Sequence, residues 1–334
     1  MKKPIIFLLI VCSFLPLSRG NFSYPFGSKV SPTNSQSDQS SLTILSLNTW
    51  GLPIRFSKHK QAERFKKIPE ALNTANTDII CLQECFSKSL RKDILYNISA
   101  SYSYSSDYTC NRRSAGILNL DCHGGLMTFS KYPILAEYFY PYPNFESTTY
   151  IEKIGAKGFL VSLLDLGDKQ IYVINTHLFA GHEDSAVLIR ERQMEFMWLT
   201  LIKLEISDKD LLLVGDLNIS HPKVMNENNK VSKCNIYRRL ISEYGFIDGN
   251  TNAAYTIDPL SNHYCNTKEG QQILDYILYK PAQEQDVSFS SWVILNGDKS
   301  VSDHSGLHSQ LFLEPSIPTA FDYITTSAGE ASIE

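Results

Sequence analysis

The chain has 334 residues, with 31 Lys+Arg against 35 Asp+Glu and a net charge of −4; 43% of it is hydrophobic and 20% charged. That much apolar surface offsets chain entropy and excludes disorder as the main state, and 17 Gly and 7 Cys exclude a collagen and a dedicated disulfide miniprotein. Slight acidity argues against a broadly basic nucleic-acid binder, though not against a nuclease with a local site.

In chain order, Lys2 and Lys3 precede an apolar run from Ile5 to Leu15, followed by Pro16, Ser18 and Gly20. A short basic stretch, a short apolar core and small residues predict a signal peptide over 1–20, hence an exported protein, secreted or periplasmic. The run is shorter than the roughly 20 residues a bilayer span needs. Residues 21–41, rich in Ser, Asn, Gln and Pro, read as a flexible linker, and 315–334 as a flexible tail. Export permits disulfides, with Cys110–Cys122 the first candidate pair and Cys234–Cys265 the second; Cys81, inside an apolar run, reads as an inert buried thiol.

Between these ends, short β-rich apolar runs recur at Leu42–Leu47, Asp78–Leu82, Gly125–Phe129, Phe159–Asp165, Ile171–Asn175, Leu211–Gly215, Ile273–Leu278 and Gly306–Phe312. Lys60–Asn73 and Val187–Leu204 carry helical spacing. Interleaved strands and helices with no Pro/Gly-rich break predict a single α/β domain over 42–314, and no internal repeat is visible.

Polar residues with chemical potential sit at the ends of those runs: Asn48, Gln83–Glu84, Asn175-Thr176-His177, Asp216 and Asn218, Asp275, and Asp303–His304. Asn, Glu and Asp oxygens suit a hard ion such as Mg²⁺, and histidines add proton transfer near neutral pH. The set points to metal-assisted hydrolysis. Each residue alone has an ordinary reading: a turn Asn, a solvated Glu, an Asx turn at 216–218, a hydrogen-bonded core His.

In order, the motifs are Leu-Asn-Thr-Trp-Gly-Leu-Pro at 47–53, Leu-Gln-Glu at 82–84, Gly-Leu through Phe-Ser-Lys-Tyr-Pro-Ile at 125–134, Asn-Thr-His-Leu at 175–178, Gly-Asp-Leu-Asn at 215–218, Leu-Asp-Tyr-Ile at 274–277 and Ser-Asp-His at 302–304. This series resembles the endonuclease/exonuclease/phosphatase superfamily, which includes deoxyribonuclease I. Asn-Thr-Trp-Gly-Leu-Pro with Ser57-Lys58-His59 and Arg64 behind it is most similar to neutral sphingomyelinases.

The resemblance implies a four-layer α/β sandwich, two packed and mostly antiparallel sheets flanked by helices. It also implies a Mg²⁺-dependent phosphodiesterase (Mn²⁺ or Co²⁺ in substitution) that cuts sphingomyelin to ceramide and phosphocholine. Carried over by position, Glu84 is the principal metal ligand, with Asn48 beside it and Asp303 a further acidic ligand or orienter. Asp216 and Asn218 hold the attacking water and a phosphate oxygen. His304 is the base, Asp275 orients it, and His177 stabilises the pentacovalent phosphorus or protonates the leaving oxygen. Lys157 is either a phosphate contact or a surface lysine. Where some relatives carry an acidic residue before the Gly-Gly of the third motif, this chain reads Asp121-Cys122-His123-Gly124-Gly125.

A lipid substrate requires contact with a membrane surface. The aromatic stretch Tyr138–Phe145 is expected to form a loop at the mouth, with Tyr140 and Tyr142 touching choline or lipid, against the alternative of an ordinary strand packing the sandwich. The interval between Leu-Asp-Tyr-Ile and Ser-Asp-His is too short for the long aromatic hairpin of secreted haemolytic relatives. A peripheral, monomeric enzyme without a stable nucleic-acid partner is expected. The rivals are a secreted nuclease of the same superfamily, a phosphatase or phosphodiesterase on another phospholipid headgroup, and a catalytically dead binding protein. Arg112-Arg113 and Arg190-x-Arg192 read as solvated faces rather than tracks for a nucleic-acid backbone.

Overall fold

Several of the apolar runs have no polar alternation, as expected for strands covered on both faces. The computed structural model, which describes residues 41–52, 61–106, 124–144, 156–181, 183–224, 235–268 and 270–313, places them at the centre of two six-stranded sheets. The strands are β1 (Ser41–Asn48), β2 (Ile79–Gln83), β3 (Tyr104–Ser105), β4 (Met127–Ser130), β5 (Ile134–Pro141), β6 (Gly158–Asp165), β7 (Gln170–His177), β8 (Leu211–Asp216), β9 (Ile247–Asp248), β10 (Asp275–Lys280), β11 (Phe289–Ile294) and β12 (Gly306–Phe312). Among the described residues the helices are α1 (Gln61–Ala75), α2 (Lys88–Ile98), α3 (Asp184–Lys203) and α4 (Asn235–Ser242). The expected leader, linker and tail lie outside the described residues, apart from Ser41, which opens β1.

The first sheet runs β11-β12-β1-β2-β4-β3 and the second β5-β6-β7-β8-β10-β9. Each has one parallel pair at its centre, β1 with β2 and β7 with β8; the other pairings are antiparallel. A parallel pair needs a crossover, supplied by α1 in one sheet and α3 in the other. Leu42, Ile44, Ile79 and Cys81 meet Val173, Leu212, Val214 and Ile277 between the sheets. Leu45, Leu47, Ile80 and Leu82 face the opposite way and pack on Phe65, Ile68 and Leu72 of α1 and Leu90 and Ile94 of α2. Phe159, Ile174, Leu211 and Leu213 likewise pack on Met194, Met197 and Leu201 of α3 and Ile236 and Leu240 of α4. The result is the four-layer α/β sandwich, helix on sheet on sheet on helix.

The aromatic stretch corrects one expectation. Ile134–Pro141 is strand β5, at the edge of its sheet, rather than a loop. Pro141 ends that edge strand, where a missing N–H breaks no ladder, so a proline there is compatible with pairing.

Candidate active site

Both parallel pairs point their C-terminal ends the same way. Asn48 pairs with Gln83 at the end of one and His177 with Asp216 at the end of the other. Asp275 opens β10 opposite Asp216, and His304 lies just before β12. The motifs therefore converge because strand ends converge, held by rigid sheets. Gly215 is required for this: its φ is +143°, and a Cβ there would overlap the Thr176 carbonyl oxygen. Three residues just beyond the strand ends, Trp50 (φ +47°), Glu84 (φ +56°) and Asn218 (φ +51°), occupy left-handed backbone that L side chains seldom adopt.

The Asn48 side-chain amide links the two sheets' contributions. Its Nδ2 donates to Glu84 Oε1 at 3.2 Å and Asp216 Oδ2 at 3.0 Å, and its Oδ1 accepts from Trp50 N at 3.0 Å. Burial, and Asp303 nearby, push Glu84 up to about 7. Burial also raises Asp216, and Asp275 adds to the rise while His304 and Lys157 oppose it. The two carboxylates share one neutral amide, and the nearby cations offset their burial only in part.

His304 Nδ1 lies 2.8 Å from Asp275 Oδ2, and its Nε2 lies 3.8 Å from Asp216 Oδ2. Burial disfavours the imidazolium, but the carboxylates of Asp275 and Asp216 outweigh it and hold His304 well above its ordinary value. Asp303 accepts from Ser302 Oγ at 3.1 Å and is raised chiefly by burial.

His177 occupies the other side, with Nε2 3.5 Å from Asp216 Oδ2 and 4.0 Å from Glu84 Oε1. Burial, then Lys157 and His304, lower it well below its ordinary value, so it is neutral. Lys157 is buried rather than on the surface, with Nζ 3.1 Å from His177 Nε2 and 2.8 Å from the Leu178 carbonyl. Asn218 N donates to Asp216 Oδ1 at 3.0 Å and its Nδ2 to Leu178 O at 3.3 Å.

This donor set fits a hard divalent ion. Glu84 Oε2 is buried with no hydrogen-bond partner among the described residues, and the carboxylates raised by burial are those a dication would settle. Ligand atoms of Asp216, Asp275 and His304 also lie within 4.8 Å of one another. The short bond between His304 and Asp275 commits those two to each other, so Glu84 and Asp216, bridged by Asn48 and with Asp303 nearby, are the groups left to hold an ion.

Tyr140 and Tyr142 are not brought to this cluster. Tyr142 is 8% exposed, with its hydroxyl 2.8 Å from Thr176 Oγ1, and Tyr140 stacks on Phe159 with ring centroids 5.2 Å apart. Both pack the sandwich against α3, Tyr140 from within β5 and Tyr142 from just beyond its end. Gln83 and Asn175 also prove structural: Gln83 Nε2 donates to Asn175 Oδ1 at 2.9 Å across the two sheets. Arg190, expected on a solvated face, is buried and donates to Phe179 O and Gly181 O, both at 2.9 Å, whereas Arg192 is exposed. Ser57-Lys58-His59, Arg112-Arg113 and Asp121-Cys122-His123 lie outside the described residues, as do Cys110 and Cys234 and with them both candidate disulfides. Cys81 is fully buried, which pushes its thiol up to about 12.

Of the residues that hold the site in shape, sequence reading noted Arg64 only within the family resemblance and missed Thr256 and Asn262. Arg64, fully buried in α1, donates to Thr49 O at 3.0 Å, Trp50 O at 2.9 Å and Val301 O at 3.2 Å, with its guanidinium 4.6 Å from the Trp50 ring centroid. Thr256 and Asn262 bond the backbone on either side of the His304–Asp275 pair. Neither belongs to a motif; a buried polar residue in a loop leaves no periodic signal.

A metal-ready carboxylate cluster beside a His–Asp pair, on this sandwich, defines the class. Residues 45–304 match the Endonuclease/Exonuclease/phosphatase family, and the chain belongs to it. It is 26% identical over 320 residues to Sphingomyelinase C 2 of Leptospira interrogans, covering 86% of this chain and 49% of that protein. It is 26% identical over 299 residues to mouse Sphingomyelin phosphodiesterase 2, covering 83% and 66%. The chain thus spans half to two thirds of these relatives' length. A crystal structure of a Staphylococcus aureus beta toxin mutant with bound magnesium ions superposes with a TM-score of 0.63 at 20% identity, over 80% of this chain and 99% of that one.

Proposed function

We propose that the protein is an exported, Mg²⁺-dependent phosphodiesterase of the sphingomyelinase type, hydrolysing sphingomyelin to ceramide and phosphocholine. The observation that carries the hydrolytic reading is the 2.8 Å His304–Asp275 bond facing the Asp216–Asn48–Glu84 cluster. The relatives' names, Sphingomyelinase C 2 and Sphingomyelin phosphodiesterase 2, support the substrate.

Glu84, Asn48 and Asp216, with Asp303 behind them, would hold Mg²⁺. Bound there, the ion would offset charge on the phosphoryl oxygens and weaken the carboxylate pull on His304, bringing that imidazole back towards neutral pH. His304 Nε2 then takes the proton of the attacking water while Asp275 fixes the Nδ1–H tautomer. Asp216 and Asn218 orient the water and a phosphoryl oxygen. The Lys157 ammonium gives a positive charge to the same oxygens, and neutral His177, whose Nε2 accepts from it, holds it in place. The new P–O bond forms to water, the P–O bond to ceramide breaks, and the ceramide oxygen takes up a proton.

Membrane contact would come from the loop before β10 rather than from Tyr140 and Tyr142. Leu260 there is 85% exposed, two residues from Asn262, which bonds the Ser302 and Asp303 carbonyls. Among the described residues no helix is long and apolar enough to cross a membrane. Leu260→Asp is expected to weaken sedimentation with sphingomyelin vesicles and leave hydrolysis of a soluble phosphocholine ester unchanged.

The test is phosphocholine release from sphingomyelin vesicles, with Mg²⁺ or EDTA, beside Glu84→Ala, His304→Ala and a plasmid-nicking assay. Metal-dependent release lost in both variants, with intact plasmid, is expected. Nicked plasmid with no phosphocholine would move the substrate to nucleic acid and overturn the lipid reading.

A further inference from the structure

The segment joining β9 to β10 holds both halves of the His304–Asp275 pair. Asn262 is 1% exposed, and its Nδ2 donates to Ser302 O at 2.9 Å and to Asp303 O at 3.2 Å. Its Oδ1 accepts from Tyr264 N at 3.0 Å, so the whole amide is used. Only a primary amide gives two N–H groups to successive carbonyls and accepts a third bond from the same planar group. Cys265 Sγ adds a contact to Asp303 O at 2.9 Å. Six residues before Asn262 in the fold's path from β9, fully buried Thr256 does the same for Asp275: its Oγ1 accepts from Leu274 N at 3.0 Å and Asp275 N at 3.2 Å. The Thr256 carbonyl accepts from Ser305 N at 2.8 Å, on the far side of His304.

The backbone on both sides of His304, and at Asp275 itself, is thus fixed by one short segment. Within its own loop His304 N has a long bond, 3.4 Å, to Ser302 Oγ. We propose that Asn262 and Thr256 are positioning residues for the hydrolytic base: they touch no substrate and set the orientation of His304 against Asp275. The proposal rests on the reading of His304 as that base.

A displacement of about 1 Å at a reacting group can cost on the order of 100-fold in rate. Asn262→Ala should therefore lower kcat for phosphocholine release by about 10- to 100-fold, with KM and the Mg²⁺ Kd within about twofold of wild type. Placed on His304→Ala, it should lower the residual kcat by less than about twofold, because a residue that acts through His304 has nothing left to act on. Losses that multiply in the double variant, or a shared rise in KM and Mg²⁺ Kd, would overturn the proposal. Thr256→Val, which removes only the hydroxyl, should behave alike and Thr256→Ser should be restored; these variants decide the matter if Asn262→Ala does not fold.

A readout without turnover separates this proposal from the substrate reading. The Nδ1 proton shared with Asp275 is expected as a low-field proton resonance in the full-length protein, absent in His304→Ala. It should move or broaden in folded Asn262→Ala. An unmoved resonance there would refute the positioning role, even if sphingomyelin proves not to be the substrate.

Discussion

The two sheets are built on one plan and do different work. Their strand orders, β11-β12-β1-β2-β4-β3 and β5-β6-β7-β8-β10-β9, correspond position by position. Asn48 at the end of β1 corresponds to His177 at the end of β7, and Gln83 at the end of β2, with Glu84 just after it, to Asp216 at the end of β8. His304, before β12, corresponds to Lys157, before β6. Even the supporting arginines match: Arg64 of α1 holds the carbonyls of Thr49 and Trp50 after β1, and Arg190 of α3 those of Phe179 and Gly181 after β7. What differs is the chemistry placed on equivalent positions. Strand ends supply the geometry, while the chemistry comes from making the two copies unlike.

One asymmetry lies in how closely the central strands approach. Gly215 at φ +143° sits against the Thr176 carbonyl, whereas its counterpart in the first sheet is Leu82, an ordinary strand residue. Gly215→Ala should therefore destabilise the protein by about 3 kcal/mol or more, read as a lower urea midpoint. Leu82→Ala should cost about 2–5 kcal/mol by leaving a cavity, with no backbone strain. A neutral Gly215→Ala would break the comparison.

The arginines sharpen it. Hydrogen bonds to charged groups contribute about 1.5–3 kcal/mol, so Arg64→Met and Arg190→Met should each lower the urea midpoint by a similar amount. Only Arg64 also holds Val301, three residues before His304, so Arg64→Met should cost about tenfold more in kcat than Arg190→Met. Equal kcat losses would contradict that division.

The shared cluster predicts a pH dependence. Burial and Asp303 raise Glu84 to about 7, so its neutral form favours the metal-free fold. That stability is fully present below the ordinary carboxylate range and is lost as pH rises through about 7. Mg²⁺ needs the carboxylate, so its Kd should rise roughly tenfold per pH unit below 7, and the Mg²⁺-induced gain in Tm should be larger at pH 8 than at pH 5.5. A pH-independent Kd would refute a Glu84 ligand. The smallest effect concerns Cys81 and Cys85, whose thiols burial pushes up to about 12. In native protein at pH 8 both should alkylate at least ~10³-fold more slowly than in urea, measured by mass spectrometry.

Most central strands were legible because strands covered on both faces read as unbroken apolar runs, as at Leu211–Gly215 and Ile79–Leu82. Short edge elements were not: β3 and β9 have two residues each, too few for a period, and β5 runs into an aromatic stretch that reads equally as a loop. The motif residues were legible because strand ends carry them in order. Asn262 and Thr256 were not, since their role depends on partners 40 and 19 residues away. The twofold correspondence was invisible in sequence for a physical reason: equivalent positions carry Asn and His, or His and Lys, and share only backbone geometry.

The central claim is that one divalent-ion site draws its donors from both sheets. Isothermal titration of the metal-free protein with Mg²⁺, beside Glu84→Gln and Asp216→Asn, tests it directly. Each substitution, one on either sheet, is expected to weaken the same binding event by at least about 100-fold. Wild-type Mg²⁺ affinity in Asp216→Asn would contradict it.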